Sequence, residues 1–470
     1  MVLALGLLAM TMRTVTDPDV WWHLRTGQLI LQNHHVPHAD PYSFTRAGHP
    51  WVNHEWLADV LIYGLYHASG WTGLIVVFGV ITAVAFVFAY LLSEGRPYVA
   101  GVVTVAAAVA SAPAWGVRPQ MLSLMLASVF LFVLTTSETR ARRLWWTLPL
   151  MLIWVNLHAG YALGPFLLVL FIVGDALDAS HGYIPWNQTA SRLRRLAFAL
   201  LACLLIVPLN PNGARMYLYP WQTLTSQAMQ KYIEEWFSPN FHEAKYLPLM
   251  FLILACIVAA ALSPKRLRCR EYLLLAATLA AALRSVRHIP IFVLVAIPVL
   301  SGCIEAWRKM RKPAAARTST LSLSVPRLVV NAIVLIAFTI FTVSRIHSLV
   351  QRQRGNEAHD FPLAAVSFLA RQKLPPPILN HYNWGGYLIW QLYPAYPVFI
   401  DGRADVYGDA FLNNLAKIYY LRDGWKEALE PWRVRTIVLP PDAPLVTFLR
   451  SQAGWAQVYQ DSQAVILEKR

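Results

Sequence analysis

Long apolar stretches separated by short polar loops recur through the first three quarters of the chain. A helix needs about 20 mainly apolar residues to cross a bilayer, so the stretches predict a polytopic α-helical membrane protein with about eleven spans. The predicted spans are residues 1–14, 72–93, 98–112, 120–136, 145–158, 160–177, 195–209, 246–262, 272–285, 289–305 and 328–344. No basic region precedes the first stretch and no small-residue cleavage site follows it, which favours a retained span over a removed signal peptide.

The loops between the spans differ in their basic residues. Eleven spans place alternate loops on opposite sides; one set carries 17 Lys and Arg residues, and the longer set carries 9. Because cytoplasmic loops carry the excess of Lys and Arg, the first set is predicted to be cytoplasmic. The N-terminus is then cytoplasmic, and the long loops 15–71 and 210–245 lie outside together with the tail.

The pattern changes after residue 344, where apolar runs shorten and Pro, Asn, Asp and Gly return. Strands are predicted over 377–380, 397–401 and 436–439, a short helix over 384–392, and a closing hairpin over 455–459 and 464–467. The predicted organisation is a transmembrane domain over 1–344, whose first outer loop carries interfacial helices, and a small extracytoplasmic α/β domain over 345–470. Residues 313–324 are predicted to form a low-complexity linker.

Composition supports the membrane class. The 470 residues are 57% hydrophobic and 14% charged, whereas a soluble domain carries about 25% charged residues. The net charge of +15 would suggest nucleic acid in a soluble protein. Here the basic residues cluster in short loops, as membrane topology requires, so no nucleic-acid partner is expected. The four cysteines have no metal-ligand spacing, and no disulfide framework is expected.

An acidic pair, Asp17-Pro-Asp19, follows the first span. Carboxylates at the mouth of a membrane helix are costly unless they face water or act in chemistry. Pro18 keeps Asp17 extended, and Asp19 is positioned to cap a helix over 20–32. His23 lies four residues after Asp19 on the same helical face. A cap needs only one acid, so the pair is predicted to have a function.

A second polar motif, Trp51-Val-Asn-His-Glu-Trp56, lies in the same loop. Asn53 can cap an amphipathic helix whose polar side carries Glu55 and Asp59. Two interpretations remain open: Glu55 is a second acid or a metal ligand, or the segment is an interfacial helix anchored by its tryptophans. The nearby histidines His34, His35 and His38 have no cysteine or acid to complete a zinc site, so no metal is expected there.

Polar residues that a membrane helix does not need occur at three span ends on the predicted outer side. They are Arg118, Asn156, His158, Arg284, Arg287 and His288. A buried arginine needs an anionic partner, and a planar guanidinium matches phosphate oxygens bidentately. At least one of Arg284 and Arg287 is therefore predicted to bind phosphate. The alternative is that these arginines pair with the acids of the first loop or reach lipid headgroups.

Two motifs in the tail are rich in side chains that recognise polar molecules. They are Asn380-His-Tyr-Asn-Trp384-Gly-Gly-Tyr387 and Asp401-Gly-Arg403-Ala-Asp405-Val-Tyr407-Gly408. Recognition of a sugar or a polar acceptor is one interpretation. The other is turn chemistry at strand ends, where glycine supplies positive φ.

The acidic Asp17-x-Asp19 motif after span one, the helices of the first loop, the eleven spans and the outer C-terminal domain together resemble the GT-C superfamily of membrane glycosyltransferases. The bacterial branch that includes polyprenyl-phosphate-sugar-dependent mannosyl- and arabinosyltransferase-like proteins is the most similar. In many relatives the two acids are adjacent, whereas Pro18 separates them here. The resemblance implies a bacterial cytoplasmic-membrane enzyme that transfers a sugar from a polyprenyl-phosphate donor, with inversion, to a lipid, glycan or protein acceptor outside.

The candidate residues then take expected roles. Those in catalysis are Asp17, Asp19, His54 and Glu55; those that bind the donor phosphate are Arg118, Arg284, Arg287 and His288; those that bind the acceptor or sugar are His23, Asn156, His158, Trp384, Asp401 and Arg403. A Mg²⁺ or Mn²⁺ cofactor remains open, and no organic cofactor is expected. Two other functions also remain open: a lipid or sugar transporter or flippase, and a non-catalytic scaffold that displays the tail.

Overall fold

The computed structural model describes residues 1–311 and 325–470, so the predicted linker lies outside the described residues. The described chain is mostly helical with one small sheet. Its helices are α1 Val2–Thr11, α2 Val20–Asn33, α3 Trp56–Leu91, α4 Pro97–Ser111, α5 Gln120–Thr136, α6 Thr147–Leu157, α7 Leu163–Ser180, α8 Trp186–Ile206, α9 Tyr219–Thr225, α10 Gln227–Tyr232, α11 Leu247–Leu262, α12 Cys269–Arg284, α13 Ile289–Arg311, α14 Val325–Asp360, α15 Leu363–Gln372, α16 Gly385–Leu392, α17 Ala404–Tyr419, α18 Trp425–Leu429 and α19 Pro444–Arg450. Its strands are β1 Ile378–Asn380, β2 Thr436–Leu439, β3 Trp455–Gln460 and β4 Val465–Lys469.

Six helical segments of the described chain are long and apolar enough to cross a membrane. They are Trp56–Leu91, Pro97–Ala114, Ala159–Ser180, Ala244–Leu262, Val286–Arg311 and Leu328–Asp360. Each overlaps one predicted span. The predicted spans 1–14 and 120–136 fall on the shorter apolar helices α1 and α5, and the other three fall on α6, α8 and α12. The protein is a polytopic helical membrane protein, and the number eleven stays a prediction.

The chain packs into two compact units that do not follow its order. Unit 1 consists of residues 1–13, 75–209 and 234–348. Its central helix is α13, which packs against α4, α11 and α12, while α7 packs against α8 and α12. Almost every side chain of α13 from Ile289 to Cys303 is buried, as expected for a helix that is apolar on all sides.

Unit 2 consists of residues 14–74, 210–233 and 349–470, so the two long loops pack with the tail. The boundary predicted at residue 344 separates membrane-spanning residues from extracytoplasmic residues. That is a different division from the one into packing units, and it stays a prediction. By packing, the first loop belongs with the tail, because its side chains bury those of the tail. The long helices α3 and α14 each contribute residues to both units.

The sheet of unit 2 has the strand order β1-β2-β4-β3. Strands β1 and β2 are parallel, with Leu379 opposite Ile437. Strand β4 is antiparallel to both β2 and β3. The predicted strands at 377–380 and 436–439, the helix at 384–392 and the closing hairpin are confirmed, because their short apolar runs between turn residues are local signals.

The predicted strand over 397–401 is wrong. Only Val398 pairs, through one isolated parallel bridge to Ser43. The side chain of Asn380 holds the next two residues: its amide donates to the Ile400 carbonyl at 2.8 Å, and its oxygen accepts from the Phe399 N–H at 2.8 Å. Because a side chain satisfies these buried backbone groups, they need no partner strand, and the segment bends at Phe399 without joining the sheet.

Helix α2 ends one residue beyond its predicted bounds. Its apolar face packs on protein: the Trp21 ring lies 5.2 Å from Trp71, 5.4 Å from Phe361 and 5.0 Å from Tyr387, all edge to face. Edge-to-face aromatic pairs add about 0.5–1.5 kcal/mol each beyond area burial. Protein therefore covers the part of this face around Trp21, while Leu31 is exposed, and an interfacial position of the helix stays a prediction.

Candidate active site

The acidic motif of the first loop forms a tight turn in unit 2. The Asp17 Oδ1 accepts a hydrogen bond from the Asp19 N–H at 2.9 Å. Helix α2 begins at the next residue, and the Asp19 side chain makes no capping hydrogen bond to it. Both carboxylates are half-buried. Asp19 therefore starts the helix through its backbone, contrary to the predicted side-chain cap, and its carboxylate is not required to stabilise the helix end.

Two glycines of the tail make room for this turn. A Cβ atom on Gly402 would lie 1.7 Å from the Asp19 Oδ1, and one on Gly386 would lie 2.8 Å from the Pro18 carbonyl oxygen. Real side chains do not tolerate such approaches. The two tail motifs therefore approach the acidic motif closely, although more than 360 residues separate them from it in the sequence.

His23 is held between two carboxylates of the same unit. Its Nδ1 lies 2.6 Å from the Asp59 Oδ1, and its Nε2 lies 3.6 Å from the Glu55 Oε2. Asn53 donates to the second Asp59 oxygen at 3.1 Å. Burial opposes charge on the ring, but the hydrogen bond to Asp59 and the charges of Asp59, Glu55 and Asp19 outweigh it and raise the pKa of His23. This surrounding favours an imidazolium next to the acidic motif.

Glu55 joins His23 to a second imidazole. The His54 Nε2 lies 2.6 Å from the Glu55 Oε1, and the His54 ring packs on the Tyr219 ring at 4.2 Å between centroids. The Tyr219 hydroxyl donates to Asp405 at 3.3 Å. Burial opposes the charge of His54, but the Glu55 carboxylate outweighs it and raises the pKa of His54. Burial raises the pKa of Asp405 despite the neighbouring His54.

These contacts form a polar network from Asp59 to Asp405, which we call the acid–imidazole network: Asp59, His23, Glu55, His54, Tyr219 and Asp405. Sequence reasoning selected His23, His54 and Glu55. It placed Asp59 on a solvated face and assigned no role to Tyr219. The i, i+4 spacing of Glu55 and Asp59 was a usable signal, but only the packed loops show that both acids face one histidine.

A second polar cluster in unit 2 surrounds Arg403. Its guanidinium donates to both oxygens of Asp401, at 2.8 and 2.7 Å, and to Asp40 at 2.7 Å. It also lies 4.5 Å from the Trp51 ring centroid. Arg403 is 2% exposed and both acids are buried. A buried arginine with two carboxylate partners ties the first loop to the tail. The sugar-binding role of Asp401 and Arg403 stays a prediction.

In unit 1, one glutamate gathers two of the predicted phosphate-binding arginines. Arg118 contacts the Glu235 Oε2 at 2.7 Å, and Arg287 contacts the Glu235 Oε1 at 3.2 Å. The Arg287 guanidinium also lies 4.4 Å from the Trp236 ring centroid. The span ends that carry Arg118 and Arg287 are thus brought together, and their phosphate-binding role stays a prediction. Glu235 was missed, because a single acid in a long loop gives no sequence signal.

The other two predicted phosphate ligands lie close by in the chain. Arg284 is exposed, and its carbonyl accepts from the Ser238 hydroxyl at 3.4 Å. The ring of His288 lies 6.5 Å from the Trp236 ring, and its buried Nδ1 has no hydrogen-bond partner within the described residues. The polar atom of His288 is a further group that a ligand at this span end could bind.

The remaining predicted acceptor residues make local contacts. Asn156 donates to the carbonyl four residues earlier at 2.9 Å. The His158 Nδ1 accepts from the Gly160 N–H at 2.9 Å and lies 2.7 Å from the Ser123 hydroxyl. Trp384 is buried beside the His381 ring, at 5.1 Å. The Asn156 and His158 bonds hold the end of α6 and the turn after it, and an acceptor role for the three residues stays a prediction.

Metal ligation can be judged from side-chain grouping. Among residues 1–311 and 325–470, no three His, Cys, Asp or Glu side chains are arranged as ligands of one ion. The histidines 34, 35 and 38 are exposed loop residues. In the acid–imidazole network Asp59 and Glu55 contact imidazoles, and Asp405 accepts from the Tyr219 hydroxyl. A hard divalent cation prefers carboxylate, carbonyl and water oxygens. The need for Mg²⁺ or Mn²⁺ stays open.

No protein-family model matches the sequence, and no curated protein matches it by sequence alone. Solved structures do match. The oligosaccharyltransferase AglB from Archaeoglobus fulgidus, in complex with an inhibitory peptide and a dolichol-phosphate, is 11% identical and has a TM-score of 0.56, covering 93% of this chain and 68% of that chain.

ArnT from Cupriavidus metallidurans is similar as well. In the apo state it is 14% identical, with a TM-score of 0.52 over 98% of this chain and 95% of that chain. Bound to undecaprenyl phosphate, it is 14% identical, with a TM-score of 0.50 over 99% and 96%. At these identities the likeness shows the fold alone. The chain therefore has the fold of these two proteins, as the resemblance to the GT-C superfamily predicted.

Proposed function

We propose that the protein is a membrane glycosyltransferase that moves one sugar from a polyprenyl-phosphate-linked donor to an acceptor on the outer face of the cytoplasmic membrane. The observation that carries the proposal is the half-buried Asp19 carboxylate, which no helix cap requires, in front of a buried acid–imidazole network. Structures of the same fold supply support, since one is named an oligosaccharyltransferase and holds a dolichol-phosphate, and another holds undecaprenyl phosphate.

We assign proton transfer to Asp19. Asp17 uses Oδ1 to order the turn, whereas the Asp19 carboxylate lies against the glycine of Asp401-Gly402. As general base, Asp19 accepts the proton of the acceptor hydroxyl while that oxygen forms its bond to the anomeric carbon. The His23 ring, whose pKa Asp19 helps to raise, lies close enough to interact with this carboxylate electrostatically.

The leaving group takes the electrons of the bond that breaks. As the bond from the anomeric carbon to the phosphate oxygen is cleaved, the sugar acquires oxocarbenium character and charge grows on the lipid phosphate. We assign stabilisation of this charge to Arg118 and Arg287, whose guanidinium groups already face a shared anion. Inversion at the anomeric carbon follows from a single displacement and rests on the family resemblance.

A donor assay tests the proposal. Purified full-length protein in detergent is supplied with a panel of polyprenyl-phosphate sugars, and release of polyprenyl phosphate is measured. We expect Asp19→Asn to reduce release by about 10²–10⁴-fold, the usual contribution of general base catalysis. Asp17→Asn should cost less, because an amide oxygen can still accept in the turn.

Asp423→Asn is the matched control, since Asp423 is an exposed carboxylate of the tail. It should keep wild-type release. Substrate movement without sugar transfer would favour the transporter alternative. A folded wild-type protein that releases no polyprenyl phosphate from any donor would overturn the proposal and favour a scaffold role.

A further inference from the structure

Glu235 offers two oxygens to two arginines of unit 1. Its Oε2 lies 2.7 Å from the Nη1 of Arg118, and its Oε1 lies 3.2 Å from the Nη1 of Arg287. A carboxylate that spans two guanidinium groups presents its oxygens much as a phosphate does. The side chain of Glu235 therefore occupies the position that an anionic ligand of this arginine pair would need.

The backbone of Glu235 is held independently of that side chain. Its carbonyl accepts from the Ser285 hydroxyl at 2.8 Å, and the Phe237 carbonyl accepts from the Val286 N–H at 3.0 Å. The turn 234–236 is thus fastened to the turn that carries Arg287. Release of the Glu235 carboxylate needs only rotation of its side chain, not unfolding of either turn.

Arg287 would keep its place when the carboxylate leaves. Its guanidinium lies 4.4 Å from the Trp236 ring centroid, a cation–π distance. The side chains of Arg118, Arg287 and Glu235 are 27%, 18% and 24% exposed. Water reaches all three side chains, so exchange of the carboxylate for another anion does not leave a guanidinium buried and unpaired.

Arg118, Arg287 and Glu235 together have a net charge of one positive unit. When the Glu235 carboxylate moves away, the two arginines alone have two positive units. A sugar-linked polyprenyl phosphate is a phosphodiester with one negative charge. The polyprenyl phosphate left after transfer is a monoester that approaches two, because its second pKa is about 6. The arginine pair without Glu235 therefore matches the product best, and a returning carboxylate would oppose retention of that product.

We propose that Glu235 is an internal competitor of the polyprenyl phosphate for Arg118 and Arg287. It gives way when the lipid phosphate binds and returns to expel the leaving group after transfer. This inference rests on the proposed function, since it assumes that the arginine pair binds the donor phosphate. The buried His288 Nδ1, which lacks a partner within the described residues, supplies a further polar group for the phosphate.

The experiment measures binding of undecaprenyl phosphate to the full-length protein in detergent. Glu235→Gln removes the competing charge while keeping the shape of the side chain, so we expect binding about tenfold tighter than wild type. Turnover of a donor should then show stronger inhibition by added undecaprenyl phosphate. Glu243→Gln is the matched control, because Glu243 pairs with Lys245 on an exposed part of the same loop and should bind as wild type does.

The opposite result would overturn the inference: unchanged or weaker binding by Glu235→Gln means that the glutamate positions the arginines. Glu235→Asp provides a second variant. Its shorter side chain should compete less well for the two arginines, so this variant should also bind the lipid more tightly than wild type. Adding Arg287→Ala to Glu235→Gln should abolish the gain. If wild type binds the lipid and turns over donor but neither glutamate variant binds more tightly, only this inference fails. If no variant binds, the proposed function fails with it.

Discussion

Two clusters of this protein pair arginine with carboxylates, but they differ in burial and in net charge. Arg403 is 2% exposed and faces two carboxylates. Arg118 and Arg287 are about one-fifth to one-quarter exposed and share the single carboxylate of Glu235. The first cluster is buried and has a net negative charge. The second cluster is partly exposed to solvent and has a net positive charge.

That difference separates a structural role from a binding role. Removal of one member of a buried charge group leaves the others unpaired in a region that water does not reach, so the fold depends on it. A partly exposed cluster loses less when a contact opens, and its residual positive charge attracts an anion. Arginine pairs with carboxylates in both places, so exposure and charge count decide the role.

The largest expected effect is on stability, at Arg403. Arg403→Leu leaves Asp40 and Asp401 buried without their shared cation, so we expect a loss of about 3–5 kcal/mol in the free energy of unfolding. Thermal unfolding of the purified protein in detergent measures it. Arg450→Leu is the control: Arg450 is exposed in the same unit and should change stability by less than about 0.5 kcal/mol. Equal melting temperatures for the two variants would contradict the structural role of Arg403.

The second effect is on ligand binding, at Arg287. Arg287→Ala should weaken undecaprenyl phosphate binding about 10- to 100-fold, since a hydrogen bond to a charged group contributes about 1.5–3 kcal/mol. The melting temperature should change little, because Arg118 still pairs with Glu235. A titration with the lipid and a melting curve on the same sample check both halves. A lower melting temperature with unchanged lipid binding would contradict the binding role and give Arg287 the structural role that is assigned to Arg403.

The smallest effect concerns pH and the acid–imidazole network. The pKa of His23 is raised in the folded protein, chiefly by Asp59 against the opposing effect of burial. Its contribution to stability is then fully present below the unfolded pKa, about 6.5, and is lost as the pH rises through the folded pKa. The melting temperature of wild type should therefore fall more steeply above neutral pH than that of His23→Gln. Parallel curves for the two proteins would contradict the imidazolium assignment.

Local signals predicted much of the fold. The bounds of α2, the strands β1 and β2 and the final hairpin follow from periodicity and turn residues. The segment 397–401 failed, since its apolar run looks like a strand while the Asn380 side chain takes the place of a neighbouring strand. Side-chain partners that are distant in sequence leave no periodic pattern, and such a partner determined the conformation of this segment.

The sequence alone determined the membrane class, the GT-C resemblance and the two acids of Asp17-Pro-Asp19, because hydropathy and short motifs are properties of neighbouring residues. It also selected Arg118 and Arg287. Only the tertiary structure decided that Glu235 bridges those arginines, that His23 lies between Asp59 and Glu55, and that Arg403 is neutralised inside unit 2. Burial and charge pairing arise when distant segments pack, and they determine whether a charged side chain supports the fold or stays available to a ligand.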